Sequence, residues 1–103
     1  MRKPHQAEWT NKAIDTYDEV IAYPYQIWGF SVAQKLIDQI DEIIILIEQN
    51  PTMYPAVPGF QQIRKAHISA NISLYYRIKV ETVELLYFWN NRRNPADNPF
   101  GQT

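Results

Sequence analysis

The chain has 103 residues, 46% of them apolar and 20% charged, with no cysteine and a net charge of −1. It is long enough for one modest core without disulfide or metal support, and its composition excludes disorder, a disulfide scaffold and thiolate chemistry, in keeping with a reducing cytoplasmic setting. Charge is uneven along the chain: residues 1–59 hold four Lys/Arg against eight Asp/Glu, and residues 60–103 hold six against three, which suits the second half to an acidic partner.

The N-terminus, MRKPHQAEW, starts basic but has no apolar stretch behind it, so a signal peptide is not expected. Residues 5–9 read as a short strand, with Thr10 placed to cap a helix starting at Asn11. From Asn11, the apolar positions Ala13, Ile14, Tyr17, Val20 and Ile21 recur at three- and four-residue spacing between Lys12, Asp15, Asp18 and Glu19, which predicts an amphipathic helix. Pro24 is expected to end or damage that helix, with a turn by Trp28-Gly29. A Ser-x-x-Gln capping box at Ser31–Gln34 is expected to open a second helix. Its inner stripe is Ala33, Leu36, Ile37, Ile40, Ile43, Ile44 and Ile47, and Asn50-Pro51 stops it. The longest apolar run, Ile43–Ile47, is far too short to span a bilayer, so no membrane partner is expected.

NPTMYPAVPGF (50–60), with three prolines and a glycine, reads as a rigid connector. The period then changes to alternation. Residues 62–68 are a predicted strand with Ile63, Lys65 and His67 on one side and Arg64, Ala66 and Ile68 on the other. Residues 73–79 and 82–90 are two more strands, joined through Val80-Glu81. Leu74, Tyr76 and Ile78 share a face of the first; Val83, Leu85, Tyr87 and Trp89 share a face of the second. The tail, residues 96–103, is expected to be loosely held beside a single domain spanning residues 1–95. Trp9, Trp28 and Trp89 are expected in packing roles.

This order is α+β: an N-terminal helical hairpin on one face of a small antiparallel sheet. The helices can shield only one side. The other side is expected to carry, depending on register, part of the set Leu86, Phe88, Tyr75, Arg77, Lys65 and His67, a mixture of aromatic and cationic groups that suits a macromolecular partner. The expected partner-binding set is therefore Tyr75, Arg77, Leu86, Phe88, Arg92 and Arg93.

Chemically, the sequence has no phosphate-binding glycine loop, no metal-ligand spacing around His5 or His67, and no paired nucleophile and base. No cofactor or metal is expected. Arg64, Lys65, His67, Arg77 and Arg92 are the candidates for metal-independent RNA cleavage. One group would take the 2′-OH proton, His67 being the natural carrier, while guanidinium groups stabilise the phosphate. The competing reading makes His67 a surface strand residue, the strand arginines ion-pair partners, and Arg92-Arg93 a solubilising turn.

The ordered set AEWTNKAIDTYDEVIAY, AQKLIDQIDEIIILIEQNPTMYP and IRKAHISANISLYYRIKVETVELLYFWNNRRNP resembles the RelE/ParE superfamily, the toxins of type II toxin–antitoxin or plasmid-stabilisation modules. Trp9-Thr10, Asn50-Pro51, Tyr76-Arg77-Ile78 and Trp89-Asn90-Asn91-Arg92 carry the resemblance, which covers about residues 7–95. It implies a cognate antitoxin that lays apolar anchors and acidic groups on a cationic surface, with Ile45 and Leu46 as further contacts. It also implies a homodimer or a toxin–antitoxin hetero-oligomer.

The resemblance implies two target classes: RelE-like members cut mRNA in the ribosome, and ParE-like members inhibit DNA gyrase. Arg64, Lys65 and Arg92 match basic positions of the RelE-like pattern. Ser73 stands where a RelE-like arginine is expected, and the tail offers Phe100 in place of a tyrosine. These departures favour a ParE-like toxin that acts by binding over an interferase, and a non-toxic orphan of the same fold is a third reading.

Overall fold

A computed structural model describes residues 4–100. It contains β1 (Gln6–Trp9), α1 (Asn11–Trp28), α2 (Phe30–Gln49), a 3-10 turn at Pro51–Met53, β2 (Ala56–Val57), β3 (Phe60–His67), β4 (Ile72–Ile78), β5 (Thr82–Asn90) and a 3-10 turn at Pro95–Asp97. The sheet order is β1-β5-β4-β3-β2. Antiparallel pairs build all of it except the β1–β5 edge, which is parallel because β1 and β5 are joined through the whole chain between them. Among the described residues, no helix is long and apolar enough to cross a membrane.

Thr10 caps α1 as its sequence position predicts, its side chain accepting from the Ala13 N–H at 3.0 Å. The helix runs through Pro24 rather than ending there. The proline removes one intrahelical donor, yet the hydrogen-bonded turn from the Gly29 N–H to the Tyr25 carbonyl, 2.9 Å, closes the helix beyond it. Gly29 is the whole connection between the helices. Its φ of 88° is open to glycine and strained for other residues, and it caps the end of α1 and the start of α2 together. The capping box expected at Ser31 does not form: α2 already begins at Phe30, which puts Ser31 inside the first turn, and no side chain caps the helix.

The core between helices and sheet joins Ala13, Val20, Ile40, Ile44 and Ile47 to Ala66, Ile68, Ile72, Leu74, Tyr76, Val83, Leu85 and Phe88. The inner stripe of α2 is thus the predicted one. On α1, Ile14 is 45% exposed while Thr16 is buried. The reason lies on β5. Tyr75 pairs with Tyr87 and Tyr76 with Leu85, so Leu86 is an extra residue opposite no partner. This bulge shifts the alternation of β5 by one. Val83 and Leu85 face the helices before it, and Phe88 faces them after it, while Tyr87 and Trp89 turn to the other side. A strictly alternating β5, with Tyr87 and Trp89 beside Leu85 and Phe88 opposite, is therefore corrected.

Two threonines hold the bulge. The Thr10 hydroxyl donates toward the Leu85 and Leu86 carbonyls at 2.8 and 3.0 Å, and the Thr10 N–H reaches the Leu85 carbonyl at 3.3 Å. Beyond the reach of β1, the buried Phe88 N–H donates to the Thr16 hydroxyl at 2.8 Å, and that hydroxyl donates to the Lys12 carbonyl at 2.7 Å. Replacing Thr16 by valine keeps the shape and strands a buried amide. Thr16→Val is expected to lower stability by about 1–3 kcal/mol, whereas Thr16→Ser retains most of it; urea unfolding of the three proteins checks this.

Candidate partner-binding groove

The second face of the sheet is closed by the chain itself. Val57, Ile63, Tyr75, Tyr87 and Trp89 form a second cluster there, with Leu86 and Phe100 packed against it. Tyr75 and Tyr87 stack across β4 and β5 at 4.9 Å, and the Phe100 ring stacks on both at 5.8 and 6.0 Å and meets Phe60 edge-on at 5.3 Å. Asn98 is buried. Its side-chain amide donates to the Tyr75 hydroxyl at 3.1 Å, and its carbonyl oxygen accepts from the Tyr87 hydroxyl and from the Phe100 N–H. Burial raises the Tyr87 hydroxyl well above the ordinary tyrosine range, as it does Tyr76 on the helix side, where the phenol donates to the Pro51 carbonyl.

This corrects two expectations. Of the segment read as a loosely held tail, residues 96–100 pack onto the sheet through Asn98 and Phe100, covering aromatic surface on the second face, and residues 101–103 lie outside the described residues. Tyr75 and Phe88, expected on a free face, are 3% and 1% exposed, Tyr75 under the tail and Phe88 under the helices. Leu86, at the bulge, is half-buried against the second cluster.

The basic residues are dispersed. Arg64 lies on the helix side of β3, where its guanidinium donates to the Thr52 and Tyr54 carbonyls at 3.3 and 3.0 Å and pins the connector. Lys65 lies on the opposite face, 5.9 Å from the Tyr75 ring. His67 is exposed at the end of β3, paired in register with Ser73. Arg77 lies near Glu84, 3.9 Å away, and Lys79 shares that carboxylate at 3.7 Å. The predicted cleavage set is therefore spread over two faces and several edges rather than gathered at one point. Ser73 is fully buried and accepts from the Asn91 side-chain amide at 3.1 Å, a structural role in the place of the arginine. Among the described residues, no three His, Asp or Glu side chains gather as metal ligands.

Arg92 and Arg93 do come together with other residues. Where the helical hairpin overhangs the end of the sheet, a cavity of about 440 Å³ opens between Val20, Tyr23, Pro24, Trp28, Val32 and Leu36 on the helices and Ile72 and Phe88 on the strands. Lys35, Arg92 and Arg93 stand on its rim, with Glu19 as a carboxylate among them. Arg93 also covers the Trp89 ring, 4.7 Å from its centroid, and so ties the rim to the second face. The arrangement is an apolar trough with a cationic edge, suited to an amphipathic segment bearing acidic groups. Of the predicted partner-binding residues, Arg92 and Arg93 border this groove and Phe88 forms part of its floor. Tyr23, Trp28, Val32, Lys35 and Leu36 were not expected there. Their signal in the sequence is that Trp28 and Val32 fall outside the buried helical stripes. Ile45 and Leu46 are exposed on α2 but do not line the groove.

The family model of the ParE toxin of type II toxin–antitoxin system, parDE, matches residues 7–95. No curated protein matches. Among solved structures, the chain is similar to one from the chromosomal ParDE TA system of P. aeruginosa, with 19% identity, a TM-score of 0.71, and coverage of 86% of this chain and 98% of that one. It is similar to a YoeB/ParE toxin from Agrobacterium tumefaciens, with 14% identity, a TM-score of 0.57, and coverage of 82% and 97%. It is also similar to a chain of the E. coli DinJ-YafQ toxin-antitoxin complex, with 12% identity, a TM-score of 0.56, and coverage of 84% and 92%. At such identities the structural likeness speaks for the fold.

The closure of the second face by Phe100 sets an expectation for stability. Phe100→Ala should cost about 1–3 kcal/mol, less than a fully buried phenylalanine because the ring is half-buried. The accompanying sign is a red shift of tryptophan emission as Trp89 gains water, recorded in the same urea titration.

Proposed function

This chain belongs to the ParE toxin family of type II toxin–antitoxin systems, and from that premise we propose that it acts by binding a macromolecular target, nominally DNA gyrase, and is silenced by a cognate antitoxin. The antitoxin lays an acidic, amphipathic segment in the groove between the helical hairpin and the sheet end. Its apolar side chains enter between Trp28, Leu36 and Phe88, and its carboxylates meet Lys35, Arg92 and Arg93. The observation that carries this reading is the groove itself: open apolar side chains edged by three cations, beside a second face that the chain has already covered. Burying the apolar floor supplies affinity, and the rim sets orientation and encounter rate.

Binding is favoured over RNA cleavage by the dispersal of the basic residues. Metal-free cleavage needs a proton acceptor and phosphate-stabilising cations within hydrogen-bond reach of one scissile bond. Here Arg64 is spent on backbone carbonyls of the connector on one face, while Lys65 and His67 belong to the other.

Three measurements test the reading. Purified gyrase should lose supercoiling activity as this chain is added in excess; undiminished supercoiling, with cuts in ribosome-bound message that vanish in His67→Ala, would put an interferase in its place. The protein encoded beside this gene should restore growth when co-expressed with the wild-type chain. Reversing the rim with Arg92→Glu and Arg93→Glu together should weaken that protein's binding by on the order of tenfold or more, and leave the remaining affinity less sensitive to salt.

A further inference from the structure

The rim of the groove holds one group that a purely acidic occupant does not explain. Glu19, an exposed carboxylate of α1, stands there with Lys35, Arg92 and Arg93. Among the described residues none of these four pairs with another; the ion pairs present belong to Arg77 and Lys79, at the far end of the sheet. Nor does α1 supply Glu19 with a cation, since the positions three and four residues away are Asp15, Thr16, Ala22 and Tyr23. A second acceptor adjoins it. α1 runs through Pro24, which has no N–H, so the Val20 carbonyl lacks the donor that a helix supplies four residues on. Val20 and Pro24 both line the groove. The α1 wall thus offers a carboxylate and a carbonyl, while α2 and the sheet end offer Lys35, Arg92 and Arg93.

We propose, resting on the reading that an acidic amphipathic segment fills this groove, that the segment also carries a cationic side chain toward α1 and that Glu19 selects for it. Arginine matches this wall best, because its forked donors reach a carboxylate and a carbonyl together, whereas an ammonium is a point charge. A segment acidic all round would set a carboxylate against Glu19 and cover the Val20 carbonyl without a donor, and both are unfavourable. A segment with carboxylates on one side and a cation on the other satisfies both walls. Rotated by half a turn, the same segment would set like charges together on each of them. Glu19 is therefore a specificity-determining residue: it fixes how the segment sits and rejects partners that are acidic but lack the cation.

Titration calorimetry tests this, with the protein encoded beside this gene added to the wild type, Glu19→Gln, Glu19→Arg and Glu42→Arg. Position 19 is exposed on a helix and accepts either replacement, and far-UV circular dichroism checks that each variant is folded. Glu42, exposed on α2 outside the groove, gives the same change of net charge. A more basic chain attracts an acidic partner more strongly at long range, so net charge alone makes both arginine variants bind more tightly. A cation held by Glu19 gives the opposite sign at that position. The dissociation constant is expected to rise roughly tenfold or more in Glu19→Arg and less in Glu19→Gln, with Glu42→Arg within about twofold of the wild type. Replacing one arginine or lysine of the neighbouring protein by glutamate should restore binding to Glu19→Arg and weaken binding to the wild type. If Glu19→Arg binds as tightly as the wild type, or if no single such replacement restores it, the proposal is overturned; the groove reading still stands provided that Arg92→Glu with Arg93→Glu weakens binding. Indifference to that arginine pair, or no binding to the wild type, would remove the groove reading and this proposal with it.

Discussion

The arrangement of this protein turns on the extra residue in β5 and the two hydroxyls that hold it. Leu86 has no partner on β4, and a bulge left to itself exposes backbone groups that burial makes expensive. Thr10 takes the Leu85 and Leu86 carbonyls, and Thr16 takes the Phe88 amide. Both belong to the start of α1, so the same contacts that satisfy the strand also dock the helix on it. The shift in phase brings Phe88 under α1, where its ring meets Tyr17 and Trp9 at 5.6 and 5.7 Å, and sends Tyr87 and Trp89 to the other side.

Where those rings go decides the rest. With Tyr87 and Trp89 beside Tyr75, the second face becomes too apolar to stand in water, and Phe100 and Asn98 fold back over it. The groove at the hairpin's overhang, by contrast, stays open among the described residues, an apolar concavity with cations on its edge. The sheet face and the groove meet at Arg93, which stacks on Trp89 from one and borders the other. A partner engaging that guanidinium therefore also touches the packing that holds the segment after β5.

The basic residues divide along the same lines. Arg64 is structural because the alternation of β3 turns it toward the connector, while its neighbour Lys65 points the other way. Arg77 and Lys79 share Glu84 at the far end of the sheet, and Arg92 and Arg93 come just after the end of β5. Six cations in forty-four residues look like a cluster in the sequence; folded, they occupy separate places. This separation is what turns the functional reading toward binding.

The sequence by itself determined the α+β class, the two helices, the stripe that α2 buries, the Thr10 cap and the three long strands. Each is governed by interactions among residues close in the chain, whose period or capping chemistry is visible locally. Gly29 as the hairpin turn was legible for the same reason. What only the tertiary structure decided is the phase of β5 beyond Leu86, and with it the inward placement of Phe88, the covering of Tyr75 by Phe100 and the position of the groove. A bulge is a relation between two strands and the helix across them. Thr16 and Phe88, seventy-two positions apart, give no periodic sign that one hydroxyl completes the other's amide until the chain has folded them together.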